Sequence, residues 1–100
     1  MNATLIRAKV KPECVPELEA AVEKAYAAIA EAGPAGVHYS SARLTDGVTF
    51  VALLALEDED AENPLASVPA FVEFQQGLAR WLDGPPEVDR MAVLGSYRVF

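Results

Sequence analysis

One histidine, His38, is the only side chain in this 100-residue sequence whose ordinary titration falls near neutrality. That makes it the first candidate for a general base, able to take a proton from a phenol or hydroquinone. It sits beside apolar residues at the start of a β-rich segment, a setting that also suits a structural histidine. In an extended segment the residues Tyr39, Ser41 and Arg43 point to the face opposite His38. If that face lines a pocket instead, Arg43 would stabilise an anionic substrate or enolate and Tyr39 would hydrogen-bond it. A surface salt bridge at the hairpin end is the plainer role for Arg43. Arg7 and Lys9 share one face of an N-terminal segment, a costly place for charge unless a wet cavity or an interface lies there. Phe71, Phe74, Trp81 and Tyr97 would build an aromatic wall for a flat ligand, although aromatics at helical spacing also serve as plain core.

Other chemistries lack the residues they need. Ser40, Ser41, Ser67 and Ser96 have no Gly-x-Ser-x-Gly setting, and one histidine would have to serve them all. Cys14 lies near an expected helix start, where a thiol pKa falls, but it also fits as a buried bystander. With one Cys and one His, no intrachain disulfide or cluster of Cys and His ligands is available, so no metal is expected. No glycine-rich phosphate loop is present, because Gly33 and Gly36 follow a helix instead of opening one.

The hairpin carrying His38 and Arg43 is the clearest element. Val37 to Leu44 and Val48 to Leu56 are rich in β-branched, aromatic and leucine residues, with Thr45-Asp46-Gly47 between them as the turn. Placing Leu44 opposite Val48 sets Ala42 against Phe50, Ser40 against Ala52 and His38 against Leu54. Both faces of that hairpin are largely apolar, so each needs a cover.

Ala3 to Val10 alternates as a strand and stops at Pro12. A helix begins near Pro16, buries Leu18, Val22, Ala25 and Ile29, and ends at Gly33-Pro34. Glu57 to Asn63 is an acidic run that reads as a solvated loop. A second helix is expected after a Ser67 cap, with Pro69 in its first turn and an apolar face of Phe71, Phe74 or Gln75, Leu78 and Leu82. Gly84-Pro85-Pro86 ends it, and Asp89 to Phe100 makes a last strand.

The order is β-α-β twice, with Val15-Pro16 and Val68-Pro69 opening the two helices. Two such units with right-handed crossovers give a ferredoxin-like α+β fold, a four-stranded antiparallel sheet with both helices on one face. One domain over residues 1–100 accommodates it. The other sheet face is then bare and apolar, more than a monomer tolerates, and a homodimer would cover it. The 52% apolar content agrees, and 15 acidic against 8 basic residues, a formal charge of −7, disfavours nucleic acid and anionic membranes as partners. No apolar stretch is long enough for a bilayer and no signal-like segment precedes the first strand, which predicts a cytoplasmic location.

This element order, the Thr4-to-Pro12 strand running into an acidic helix, and the Ala70-Phe71 helix start together resemble the antibiotic biosynthesis monooxygenase-like family over essentially the whole chain. The resemblance implies a dimeric α/β barrel with a small-molecule cavity between sheet and helices of each protomer. Some members oxidise polycyclic aromatic or quinol-type substrates with oxygen and no bound cofactor, others degrade haem, and many have no established activity. Where members carry a histidine shortly after the Ala-Phe pair, this chain has Phe74, Gln75 and Gln76. Of the asparagine, tryptophan and histidine set of the haem-degrading branch, Asn2 and Trp81 are present and a second-helix histidine is not. The expectations are therefore a cofactor-independent monooxygenase, with His38 or Arg43 favouring a substrate anion, or a homodimer that binds or senses a small apolar ligand without turnover. A structural or stress-related dimer is the third.

Overall fold

Described for residues 2–58, 60 and 62–99 by a computed structural model, the chain forms a four-stranded antiparallel sheet in the order β2-β3-β1-β4. The strands are β1 (Asn2–Lys9), β2 (Val37–Arg43), β3 (Thr49–Leu56) and β4 (Glu87–Ala92); α1 (Val15–Ala32) follows β1 and α2 (Pro69–Trp81) follows β3. This is the expected ferredoxin-like α+β arrangement. β1 and β3 hold the centre because β1 pairs with both β3 and β4, while β2 and β4 are the edges.

Short-range chemistry sets the helix ends. Pro16 lies in the first turn of α1, where its missing N–H would have had no partner, and Gly33 ends the helix in the left-handed region at φ 57°. The Ser67 cap expected for α2 is not formed. Ser67 instead belongs to a 3-10 turn, Pro64–Ser67, capped by the Asn63 side chain, which accepts from the Leu65 N–H at 3.0 Å, and Val68 stands at the α2 N-cap. α2 stops at Trp81, before the glycine-proline stretch, because Leu82 is extended and bridges to Val10.

The hairpin register differs by one residue from the sequence expectation. His38 opposes Ala55, Tyr39 opposes Leu54 and Arg43 opposes Phe50. The turn is the cause. The Asp46 carboxylate accepts from the N–H groups of Val48 at 3.0 Å and Thr49 at 2.8 Å and from the Thr49 hydroxyl at 2.5 Å, which keeps Leu44 to Val48 in the loop. Those bonds, the Thr49 hydroxyl first, also hold the Asp46 carboxyl below its usual range. Tyr39 and Ser41 consequently share a face with Phe50, Ala52 and Leu54.

The second correction concerns β4. It begins at Glu87, two residues before the expected Asp89, and ends at Ala92, where its register reaches Asn2 of β1, so residues 93–99 have no strand partner among the described residues of the protomer. Leu94 is 98% exposed, Tyr97 78% and Val99 56%. Phe100, the expected end of that strand, lies outside the described residues, as do Glu59 and Ala61 of the acidic run.

Both helices pack on one sheet face over two clusters. Val10, Leu18 and Trp81 are the buried centre of one; Leu65, Val68 and Phe71 are the centre of the other, against Val37, Tyr39 and Leu54. Trp81 folds back over its own helix onto Gly77, so closely that a methyl group on Gly77 would lie 2.3–2.7 Å from three ring carbons. Ion pairs between Lys24 and Glu73 (3.2 Å) and Arg80 and Glu17 (4.0 Å) cross the helices in exposed positions and contribute little. The opposite sheet face carries Leu5, Val51 and Leu53 at its centre with Asp89 beside Leu5, Met91 beside Ala3 toward one end and Arg7 beside Glu87 toward the other. Its β2 share is His38, Ser40 and Ala42, so large apolar side chains come from three strands and not from all four.

Candidate functional site

Between the sheet and the helices lies an apolar cavity of about 240 Å3. Small residues on adjacent strands make the room: Ala8 of β1 and Ala52 of β3 line its floor beside Ile6 and Phe50. Val22 of α1 and Phe74 and Leu78 of α2 close it from the helix side, and Pro86 and Val88 flank it at the β4 edge. The polar groups on its wall are few, namely Tyr39, Ser41 and Gln75.

Tyr39 and Ser41 belong to a cluster of three hydroxyls. Tyr26 of α1 and Ser41 share a hydrogen bond of 2.8 Å, and the Tyr26 and Tyr39 rings stack at 5.1 Å between centroids, 8° from parallel. Burial pushes Tyr26 up to about 12, against the opposing hydrogen bond from Ser41, and burial raises Tyr39 too. These tyrosines are therefore neutral hydrogen-bonding groups at physiological pH. They are not bases.

A pH dependence follows. The neutral tyrosine is favoured more in the fold than in the unfolded chain, so the stability it brings is whole below the ordinary 10.0 and is lost as pH rises through about 12. Urea midpoints are expected to fall more steeply above pH about 10 for the wild type than for Tyr26→Phe. Parallel curves for the two proteins would show that Tyr26 ionises equally in both states.

The sequence candidates separate in space. His38 lies on the sheet face away from the helices, where its Nε2 is 3.1 Å from Glu57 Oε1. Arg43 is on the helix side but at the strand end, its Nη1 donating to Glu19 Oε1, with both side chains about half exposed. Neither lines the cavity. Tyr39 does, as the alternative placement of that face required. Of the aromatic wall, Phe74 lines the cavity, whereas Phe71 and Trp81 stand behind it: Tyr39 meets Phe71 edge-on at 5.7 Å, Phe71 meets Phe74 at 6.5 Å, and Phe74 meets Trp81 at 6.2 Å. The Trp81 Nε1–H is buried and has no hydrogen-bond partner among the described residues. Tyr97 is away from the wall, in the exposed tail, with Arg98 stacked 5.1 Å over its ring. Cys14 is a free, partly buried thiol packed on the Trp81 cluster.

Sequence reasoning missed Tyr26. The signal was present, since Tyr26 lies four residues after Val22 and so widens the apolar stripe of α1 by one polar-tipped position. Its hydroxyl has a purpose only once Ser41 is known to face the helices.

No protein-family model matches the chain, and no curated protein matches it. Solved structures do. A provisionally named antibiotic biosynthesis monooxygenase from Nitrosomonas europaea superposes with a TM-score of 0.78 at 17% identity, covering 95% of this chain and 100% of that one. Rv0793 from Mycobacterium tuberculosis gives 0.75 at 18% identity, over 95% of this chain and 96% of that one. A variant of SnoaB, a cofactor-independent oxygenase from Streptomyces nogalater, gives 0.70 at 18% identity, over 97% and 96%. The chain thus has the fold of the antibiotic biosynthesis monooxygenase-like structures. At these identities the likeness is one of fold, and a Nitrosomonas europaea neighbour with a TM-score of 0.75 is itself described as of unknown function. No described helix is long and apolar enough to cross a membrane.

Proposed function

We propose that this chain is a homodimeric protein whose helix-side cavity holds a flat, mainly apolar aromatic of the phenol or quinol type and oxygenates it with dioxygen, without a cofactor. The observation that carries this is the cavity itself: apolar walls, aromatic rings from Phe50, Phe74 and Tyr39, and neutral hydroxyls at one place to orient a ligand oxygen. At about 240 Å3 it is smaller than the roughly 300–1,000 Å3 usual for drug-sized ligands and suits one or two fused rings. The reaction balances on substrate and oxygen alone. A phenol's keto form offers a CH2 carbon that gives four electrons to O2; one oxygen atom becomes a carbonyl there and the other leaves as water.

Binding without turnover is the second reading. It is favoured by the placement of His38 and Arg43 outside the cavity, whose described lining residues include no base and no cation. Calorimetry and an oxygen electrode with a panel of substituted phenols and naphthols separate the two. Oxygen uptake above the buffer blank, unchanged in His38→Ala and lost in the cavity-filling Ala52→Leu, is the expected result for an oxygenase. Binding that Ala52→Leu abolishes, with no uptake, identifies a binding module. Binding equally strong in Ala52→Leu would sink the cavity as the site.

The second copy belongs on the sheet face opposite the helices. Leu5, Val51 and Leu53 form its apolar centre, with Met91 toward one end and Asp89 at the β4 edge, and the tail with Leu94, Tyr97 and Val99 in water offers further surface for a partner to bury.

A further inference from the structure

The helix-side face of the sheet continues past the apolar cavity into a second chamber of different character. Along β1 and β4 the paired residues Ile6 and Val88 line the apolar cavity, and the next pair on the same face, Thr4 and Arg90, lines a chamber of about 200 Å3 with Leu54, Leu56, Asn2 and Asn63. Two residues of strand place the chambers about 7 Å apart along the sheet. Val88, which flanks the apolar cavity at the β4 edge, is 59% exposed, so that edge of the cavity is open to solvent.

The second chamber is rich in hydrogen-bond donors. Arg90 brings a guanidinium that makes no ion pair among the described residues, unlike Arg43, which Glu19 neutralises, and Arg80, which reaches Glu17. The Asn63 Oδ1 is already used by the Leu65 N–H, which leaves its NH2 group to donate, and Thr4 adds a hydroxyl. No described carboxylate of the neighbouring acidic loop lines the chamber. Among the described helix-side residues bordering the two chambers, Arg90 supplies the positive charge.

We infer that the ligand carries a carboxylate on a short arm, its rings in the apolar cavity and its carboxylate on Arg90. This rests on the cavity reading above. An arginine fork presents two parallel N–H groups to a carboxylate, which a neutral ester cannot match. It also reconciles an uncharged inner cavity with a charged ligand, since the anion stays in the wet outer chamber.

The test compares 3-(2-naphthyl)propanoate with its methyl ester by calorimetry on the whole protein. The acid is expected to bind about tenfold more tightly than the ester in the wild type. Arg90→Gln is expected to bring the acid down to the ester's affinity, Arg90→Lys to keep part of the preference, and high salt to narrow the gap in the wild type. An acid that binds no better than the ester, or a preference that survives Arg90→Gln, overturns the inference. An ester that does not bind at all overturns the cavity reading beneath it.

Discussion

Gly77→Ala is expected to destabilise the fold by about 3 kcal/mol, lowering the urea midpoint by about 1.5 M for a slope near 2 kcal/mol/M. The added methyl would sit 2.3–2.7 Å from three carbons of the Trp81 ring, inside van der Waals contact. Trp81 is 4% exposed and is wedged against Val10 and Leu18, so it has nowhere to retreat without opening that cluster. Helix propensity acts the other way, favouring alanine over glycine by about 1 kcal/mol, and is too small to win. The companion variant isolates the cause: in a Trp81→Leu background the clash is gone, and Gly77→Ala should become neutral or mildly stabilising. A Gly77→Ala single variant as stable as wild type would refute the packing argument.

The second large effect concerns assembly. Light scattering is expected to give a mass near twice the 10.7 kDa of the chain for the wild type at micromolar concentration, and 10.7 kDa for Leu53→Asp. Leu53 pairs with Leu5 across β3 and β1 at the centre of the helix-free face. In a two-fold dimer the substitution enters twice, and two unpaired buried carboxylates at about 3 kcal/mol each weaken association roughly ten-thousandfold. Ala20→Asp, on the exposed side of α1, should leave the mass unchanged. A wild-type chain that is monomeric removes the dimer, and a dimer that survives Leu53→Asp moves its interface to another face.

The sequence made the architecture readable because its periodicities are strong and its punctuation is local. Leu18, Val22, Ala25 and Ile29 mark the inner face of α1, Gly33 stops it, and the repeated β-α-β order leads to the observed sheet. The register of the hairpin was not readable in the same way. One residue decides it, and that residue is Asp46, whose carboxylate takes three hydrogen bonds inside the turn. The length of β4 depends on its partner instead of its own alternation, since Val93 to Val99 alternate well and find no strand among the described residues of the protomer.

The site was less legible for a related reason. Residue types point to His38 and Arg43 as reactive groups, yet alternation turns His38 to the other face and Glu19 captures Arg43. What lines the cavity is defined by absence of bulk at Ala8 and Ala52 and by the meeting of Tyr39 and Ser41 with a helix residue, Tyr26. Such convergence appears only when strands and helix are set side by side.

Trp81 also gives the protein an optical channel of its own. It is the one tryptophan in the chain, its indole N–H has no hydrogen-bond partner among the described residues, and its ring lies 6.2 Å from Phe74, which forms part of the cavity wall. Its emission therefore comes from one dry position a single aromatic ring behind the cavity wall. An aromatic guest that absorbs in the emission band should quench it by energy transfer, so that occupancy can be titrated in unlabelled protein.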